Sequence, residues 1–208
     1  FRRRGYERDG MLKTVVERSG FQELFESARI GAGSKAQVLA AVPAELARFS
    51  CDTLFERPVQ AELVRLLLRP SESERERFTS CVLVHGMGGT GKTMTAVAAG
   101  QASAVRSFFT EMYWLTVGAD AVGDKIMQLQ AILYKQLTGK SMKAEGNDGH
   151  EQQALLVAAI AAKQRALVVL DDPWMPEQVR WLNPIDSGRQ EEHRLLVTTR
   201  IRDLVPKA

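Results

Sequence analysis

The chain has 208 residues, 45% of them hydrophobic and 25% charged, which is typical of a globular protein with one substantial core. Its formal net charge of +3 equals the charge of Arg2, Arg3 and Arg4 alone, so the basic excess lies at the start of the chain and does not indicate a nucleic-acid partner. The two cysteines, Cys51 and Cys81, lie in no CxxC or Cys–His pattern, which argues against a zinc site and a disulfide framework and favours a reduced, cytoplasmic setting.

Residues 1–50 carry apolar positions at helical spacing, interrupted at Gly20 and at residues 31–33. We expect this stretch to be a helical N-terminal extension that packs on a neighbour, followed by the main domain from residue 51. No apolar stretch reaches the roughly 20 residues of a membrane span, and no signal-peptide core follows the arginines. Because the chain starts at Phe1 and not at Met, we also expect it to be a piece of a longer protein.

Helical and strand-like segments alternate over the rest of the chain. Two segments precede the first strand: a helix predicted at 59–68 and a charged surface connection at 70–77. Strand-like apolar runs occupy 81–84, 112–117, 166–170 and 195–199. Helical patterns occupy 92–106, 124–137 and 151–163, with a polar loop at 138–149. This alternation predicts an α/β fold, a mostly parallel sheet sandwiched by helices.

A phosphate-binding motif follows the first strand. Residues 86–93 read GMGGTGKT, which fits G-x-x-x-x-G-K-[ST] between a strand and a helix. The glycines allow the backbone to wrap phosphate oxygens, Lys92 is expected on the β and γ phosphates, and the Thr93 hydroxyl on Mg²⁺. The sequence therefore predicts binding of a nucleoside diphosphate or triphosphate with Mg²⁺. The candidate nucleotide-binding residues here are Gly86, Met87, Gly88, Gly89, Thr90, Gly91, Lys92, Thr93 and Met94.

Two carboxylates follow the most apolar strand. The aliphatic run at 166–170 ends in Asp171 and Asp172, as expected of a buried strand that delivers acids to bound phosphates. Asp171 is the candidate Mg²⁺ ligand, directly or through water, and Asp172 the candidate catalytic residue that orients or deprotonates an attacking water. The alternative is that the pair only caps the next helix. Pro173 is expected to keep Asp172 out of the right-handed helical region.

An arginine follows the last strand. Arg200 comes directly after the run at 195–199, where a cation could meet the γ phosphate. The spacing is also compatible with a solvated residue at the start of a helix, so both interpretations stay open from the spacing alone.

These motifs together resemble a known family. GMGGTGKT at 86–93, LVVLDDPW at 167–174 and LLVTTR at 195–200 are similar, in order and spacing, to the signatures of the NB-ARC or AP-ATPase group of STAND P-loop NTPases. The resemblance covers roughly Asp52 to the C-terminus, although the family usually has an aliphatic residue where Pro173 stands. The stretch at 108–118 resembles the family's second strand, and Phe55 and Arg57 resemble its adenine-side motif.

The resemblance implies a molecular switch. It implies resting ADP, exchange for ATP, slow hydrolysis and nucleotide-dependent self-association in defence or cell-death signalling. It also implies that Lys92, Asp172 and Arg200 act on the triphosphate. The chain ends before the helical and winged-helix subdomains of the family, so residues 51–208 are expected to form a C-terminally incomplete NB-ARC-like domain with regulatory domains beyond it. The alternatives are a nucleotide-stabilised scaffold without useful hydrolysis, or another P-loop ATPase or kinase.

Overall fold

The computed structural model describes residues 39–47, 58–68, 80–142, 148–185 and 192–204. The helices are α1 (Ala44–Ala47), α2 (Pro58–Leu67), α3 (Lys92–Gln101), α4 (Ser103–Phe108), α5 (Asp124–Thr138), α6 (Gly149–Ala161) and α7 (Pro176–Leu182). The strands are β1 (Cys81–His85), β2 (Glu111–Thr116), β3 (Ala166–Asp171) and β4 (Arg194–Thr199).

The four strands form one parallel sheet in the order β1-β4-β3-β2. Strand β4 therefore separates β1 from β3, with Leu83 beside Val197 on one side and Leu170 beside the same residue on the other. Because all strands run in one direction, their carboxyl ends meet at one edge of the sheet. The predicted parallel α/β fold is confirmed.

Helices cover both faces of this sheet. Along β3, Val168 and Leu170 belong to the core on the side of α5, α6 and α7, whereas Leu167 and Val169 belong to the core on the side of α2, α3 and α4. Successive side chains of a strand point to opposite faces, so a strand buried on both faces must be apolar throughout. This explains the uninterrupted aliphatic sequence of β3.

Helices α5 and α6 begin and end close to the bounds that the sequence predicts. In α5, Ile126, Leu129, Leu133 and Leu137 are buried at helical spacing, and Gly139 ends the helix with a left-handed φ of 71°. Helix α6 begins after Asp148, whose carboxylate accepts from the N–H groups of residues 150 and 151. These helices differ from the predicted bounds by one or two residues.

One helical prediction was wrong, and one helix was missed. The single helix expected over 92–106 is two helices, because Ala102 adopts an extended ψ of 133° between α3 and α4. The bend lies two residues after Gly100, a residue of low helix propensity, and it accompanies burial of Val105 and Phe109 in the core. Helix α7 was not predicted at all, although Pro176 stands at its first turn, where proline is favoured.

The described part of the N-terminal region contacts this domain. Ala40 is buried and its N–H donates to the Arg106 carbonyl at 2.9 Å, while Arg106 Nε donates to the Ala40 carbonyl at 3.0 Å. Helix α1 is the one helix described within residues 1–50. The boundary placed between residues 50 and 51 stays a prediction, because residues 48–57 lie outside the described part of the chain.

Candidate nucleotide-binding site

The predicted site residues lie at the carboxyl edge of the sheet. The loop at 86–91 follows β1, Asp172 follows β3 and Arg200 follows β4. The Gly86 N–H donates to the Thr199 carbonyl at 3.2 Å, which attaches the loop to β4. Ligands of open α/β sheets bind at this edge. Three motifs far apart in sequence are therefore neighbours in space.

The loop makes a tight turn directly before a helix. Gly89 and Gly91 have left-handed φ values of 77° and 87°, which side chains rarely tolerate. Gly91 is the N-cap of α3, so the helix begins at Lys92. The Thr90 hydroxyl donates to the Met87 carbonyl at 2.9 Å and closes the turn. The positive end of a ten-residue helix thus faces the region that the loop encloses, which favours an anion there.

Lys92 carries the charge of the loop. The residue is 9% exposed, and its ammonium donates to the Met87 carbonyl at 2.9 Å. Burial lowers the pKa of Lys92 below its usual value; the carboxylate of Asp172 opposes the shift, the charge of Arg200 adds to it, and Asp171 again opposes it. An ammonium has three donors, so it can bind phosphate oxygens while keeping the Met87 bond. A bound phosphate would also favour the charged form.

Three oxygen-bearing side chains meet beside this lysine. The hydroxyls of Thr93 and Thr198 both donate to Asp171 Oδ1, at 2.9 Å and 2.5 Å. An octahedral Mg²⁺ with bonds of about 2.0–2.1 Å separates neighbouring ligand oxygens by about 2.9 Å. The Thr93 and Asp171 oxygens have this spacing, so the two residues fit the ion. Among the described residues, no three His, Cys, Asp or Glu side chains are grouped so that they could hold a metal ion by themselves. A Mg²⁺ shared with phosphates requires only one or two carboxylates from the protein.

Asp172 has an unusual backbone conformation. Among the described residues it is the one non-glycine with a positive φ, 57°. Aspartate tolerates this region better than most side chains, and the residue is out of the right-handed helical region, as predicted from Pro173. The Asp172 N–H donates to the carbonyl and the hydroxyl of Thr198 at 2.9 and 3.2 Å. The carbonyl of Pro173 accepts from the Thr199 hydroxyl at 2.6 Å, which further fixes this turn to β4.

Arg200 lies between Asp172 and the loop. Its Nε is 3.5 Å from Asp172 Oδ1, and its guanidinium carbon is 4.9 Å from the centre of the Trp174 ring. The indole N–H of Trp174 donates to Asp172 Oδ2 at 3.2 Å. A Cβ on Gly88 would lie 3.2 Å from Arg200 Nη1, so the guanidinium also lies against the loop. Arg200 is thus held beside the site, although its side chain stays 46% exposed.

A buried glutamine, which the sequence analysis did not identify, supports this turn. Gln178 on α7 is 1% exposed, and its Oε1 accepts from the N–H groups of Trp174 and Met175 at 2.6 and 3.1 Å. Its Nε2 donates to the carbonyls of Gly118 and Ala121 at 3.0 Å each. The side chain therefore connects the turn after β3 to the loop after β2. A glutamine three residues after the N-cap of α7 is the signal that could have found it.

The structure brings most of the predicted site residues together. Residues 86–93, Asp171, Asp172 and Arg200 surround one edge of the sheet. Met94 lies half-buried in the first turn of α3. The predicted adenine-side residues, Phe55 and Arg57, lie outside the described residues, so their role stays a prediction.

Comparison with known families agrees with this geometry. Residues 59–208, more than half of the chain, match the NB-ARC domain family. The chain belongs to the NB-ARC family. NB-ARC domains are P-loop NTPase domains, so the predicted family and the predicted nucleotide-binding fold are both confirmed. The family match begins one residue into α2, whose range is Pro58–Leu67.

The chain is also similar in sequence to an individual protein. A probable disease resistance protein from Arabidopsis thaliana is 28% identical to this NB-ARC chain over 112 residues. The aligned segment is 54% of this chain and 12% of that protein, so the similarity concerns a small part of the relative. Within the described ranges of the NB-ARC chain, no helix has the length and apolarity to span a membrane.

Proposed function

We propose that this NB-ARC domain is a molecular switch that binds ADP and ATP with Mg²⁺ and hydrolyses ATP slowly. The observation that carries the proposal is the convergence of three motifs. Thr93 of the loop bonds to Asp171 at the end of β3, and Arg200 after β4 lies against the loop at Gly88. ADP and ATP differ by the γ phosphate, and a site with Lys92 and Arg200 both at the loop suits that extra charge.

Each residue has one part in this proposal. Lys92 binds the β and γ phosphates, and Thr93 and Asp171 hold the Mg²⁺. Bound Mg²⁺ would neutralise charge on the phosphate oxygens. Asp172 orients the attacking water, and Arg200 contacts the γ phosphate.

The biological setting is also a proposal. The similarity to a probable disease resistance protein supports a role in defence signalling, in which the bound nucleotide controls self-association in the cytoplasm. The aligned part is 12% of that protein, so the activity of the whole relative does not transfer with it.

A second candidate is a nucleotide-stabilised scaffold without useful hydrolysis. The arrangement around Asp172 favours it, because Arg200 approaches one carboxylate oxygen and Trp174 donates to the other. A carboxylate engaged in this way is poorly placed to accept a proton from water. The same arrangement fits a resting switch if Arg200 moves when the γ phosphate binds.

Nucleotide content is the first test of the proposal. The chain is purified and denatured, and the released nucleotide is identified and counted by chromatography. We expect ADP near one per chain in the wild type and little in Lys92→Ala. Lys163→Ala is the matched control, since Lys163 pairs with Glu111 at 2.9 Å, near the start of β2, at the opposite edge of the sheet. A wild type that is empty and takes up neither Mg–ADP nor Mg–ATP would refute the proposal.

Turnover separates the switch from the scaffold. Asp172→Asn keeps the size of the side chain and removes its charge, so a switch should lose hydrolysis while it still binds Mg–ATP. A scaffold has no hydrolysis to lose. Equal turnover by the wild type and the Asn variant would show that Asp172 does not position the water.

A further inference from the structure

Asp172, Trp174 and Arg200 form a closed group of three contacts. The indole N–H donates to Asp172 Oδ2, the guanidinium pairs with Asp172 Oδ1, and the same guanidinium lies over the indole ring. An indole has one N–H in its plane and two faces that attract cations, so it can make both contacts at once. The tryptophan therefore contacts both residues proposed to act at the γ phosphate.

The two partners of the tryptophan differ in how firmly they are held. The main-chain N–H of Trp174 donates to Oε1 of the buried Gln178 at 2.6 Å. The main-chain N–H of Asp172 donates to the Thr198 carbonyl of β4, so this turn is fixed to the sheet. The Arg200 side chain is 46% exposed, and its pairing with Asp172 is 3.5 Å long. Ion pairs of this exposure contribute little to stability, because solvent screens the two charges. Arg200 is the member of the group that can move.

We propose that Trp174 is a positioning residue for recognition of the γ phosphate, an inference that rests on the proposed nucleotide switch. The ring face holds Arg200 in a resting position beside Asp172. When a γ phosphate lies at the loop, Arg200 exchanges the ring for the phosphate, a stronger partner for a guanidinium. The indole N–H keeps Asp172 in place during this exchange.

The exchange has a consequence for Asp172. Departure of Arg200 leaves Asp172 Oδ1 able to accept a hydrogen bond from water, while Oδ2 stays bound to Trp174. The guanidinium of Arg200 has only a short distance to move toward the γ phosphate, because its Nη1 already lies near Gly88 of the loop. The same movement therefore signals the γ phosphate and prepares the carboxylate.

The relative affinity of the chain for Mg–ADP and Mg–ATP tests whether the Trp174 ring holds Arg200 in its resting position. The dissociation constants of Mg–ADP and of a non-hydrolysable Mg–ATP analogue are measured for the wild type, Trp174→Phe and Trp174→Leu. Phenylalanine keeps a ring under Arg200, so the ratio of the two constants should stay within twofold of wild type. Leucine removes the ring, so the ratio should shift about threefold toward the triphosphate, because a cation–π contact at an exposed site is worth roughly a factor of 2–5.

A second tryptophan provides the matched control. Trp181 also lies under an arginine, with Arg180 at 5.1 Å from its ring centre, but it is on α7 away from the loop. Trp181→Leu should leave the nucleotide preference unchanged. A shift equal to that of Trp174→Leu, or no shift in Trp174→Leu when the wild type binds both nucleotides, would overturn the proposal.

Fluorescence tests the movement without removing the tryptophan. The chain has three tryptophans, so Trp114→Phe with Trp181→Phe leaves Trp174 as the one tryptophan, which is excited selectively at wavelengths that tyrosine does not absorb. Its emission should differ between the ATP analogue and ADP, because the cation leaves the ring in one state only. Identical emission with both bound would overturn the inference, even if Trp174→Leu fails to fold. A wild type that binds neither nucleotide would instead refute the proposed switch, and this inference with it.

Discussion

Among the buried glutamines of the described structure, Gln178 is the one whose replacement by methionine should destabilise the domain most. Methionine has a similar length and volume, so the substitution leaves little cavity. It removes all four hydrogen bonds of the side chain, two to carbonyls after β2 and two from N–H groups after β3. The residue is 1% exposed, so water cannot easily replace these bonds.

The magnitude follows from the number of bonds lost. A hydrogen bond contributes about 1 kcal/mol net, so four bonds correspond to about 4 kcal/mol of unfolding free energy. For a domain of this size that is a lowering of the melting temperature by about 8–16 °C. Gln130 provides an internal comparison. It is fully buried and donates to the Gly149 and Trp181 carbonyls, but its Oε1 has no hydrogen-bond partner among the described residues.

The assay is urea unfolding followed by circular dichroism, with thermal unfolding as a second measurement. Gln130→Met loses two bonds but also removes an unpartnered buried oxygen, so it should cost only about 1 kcal/mol. Gln153→Met, which changes an exposed bond to the Arg180 carbonyl, should stay within about 0.5 kcal/mol of wild type. If Gln178→Met costs no more than Gln130→Met, the four contacts of Gln178 do not hold the two loops together.

Three further predictions concern single side chains. Thr198→Val removes a donor to Asp171 Oδ1, and it should weaken Mg²⁺ binding to the nucleotide complex about tenfold in a Mg²⁺ titration; an unchanged titration would contradict that role. Gly88→Ala places a methyl group 3.2 Å from the flexible end of Arg200, so the chain should fold normally but bind a Mg–ATP analogue more weakly relative to Mg–ADP, as measured by calorimetry. Burial raises the pKa of Cys81 to about 11, so in a Cys51→Ser chain its alkylation by iodoacetamide should follow a pH profile with a midpoint near 11; a midpoint near the ordinary thiol value would refute the burial.

The sheet could be predicted from the sequence because its strands carry a strong local signal. Strand β3 is buried on both faces, and only an unbroken aliphatic run satisfies that position. Helix α7 gave a weaker signal, since it has seven residues and buries little more than Gln178, Val179 and Leu182. The bend at Ala102 had only a weak local signal in Gly100, because a single glycine lowers helix propensity without fixing where a helix ends.

Some residues of the candidate site could likewise be predicted from the sequence, whereas the contacts of others could not. The positions of Lys92, Thr93 and Asp171 follow from their motifs, since the carboxyl ends of parallel strands share one edge. The contacts of Asp172 could not be foreseen, because they depend on its left-handed backbone and on the place of β4 in the sheet. Trp174 carries no local signal for its contact with Arg200, since that contact exists only when the turns after β3 and β4 are folded together.

The strand order has a consequence for how the domain is made. Among the described strands, β1 pairs with β4 alone, and that pairing joins Cys81 to Leu195. During synthesis the phosphate loop leaves the ribosome long before the strand that holds it, and closing a chain segment of roughly a hundred residues must precede their contact. The pairs β2–β3 and β3–β4 join segments closer in sequence and can form with less delay. A nascent chain halted before Arg194 would therefore display the complete loop without retaining nucleotide, and nucleotide retention would mark the moment at which β4 enters the sheet.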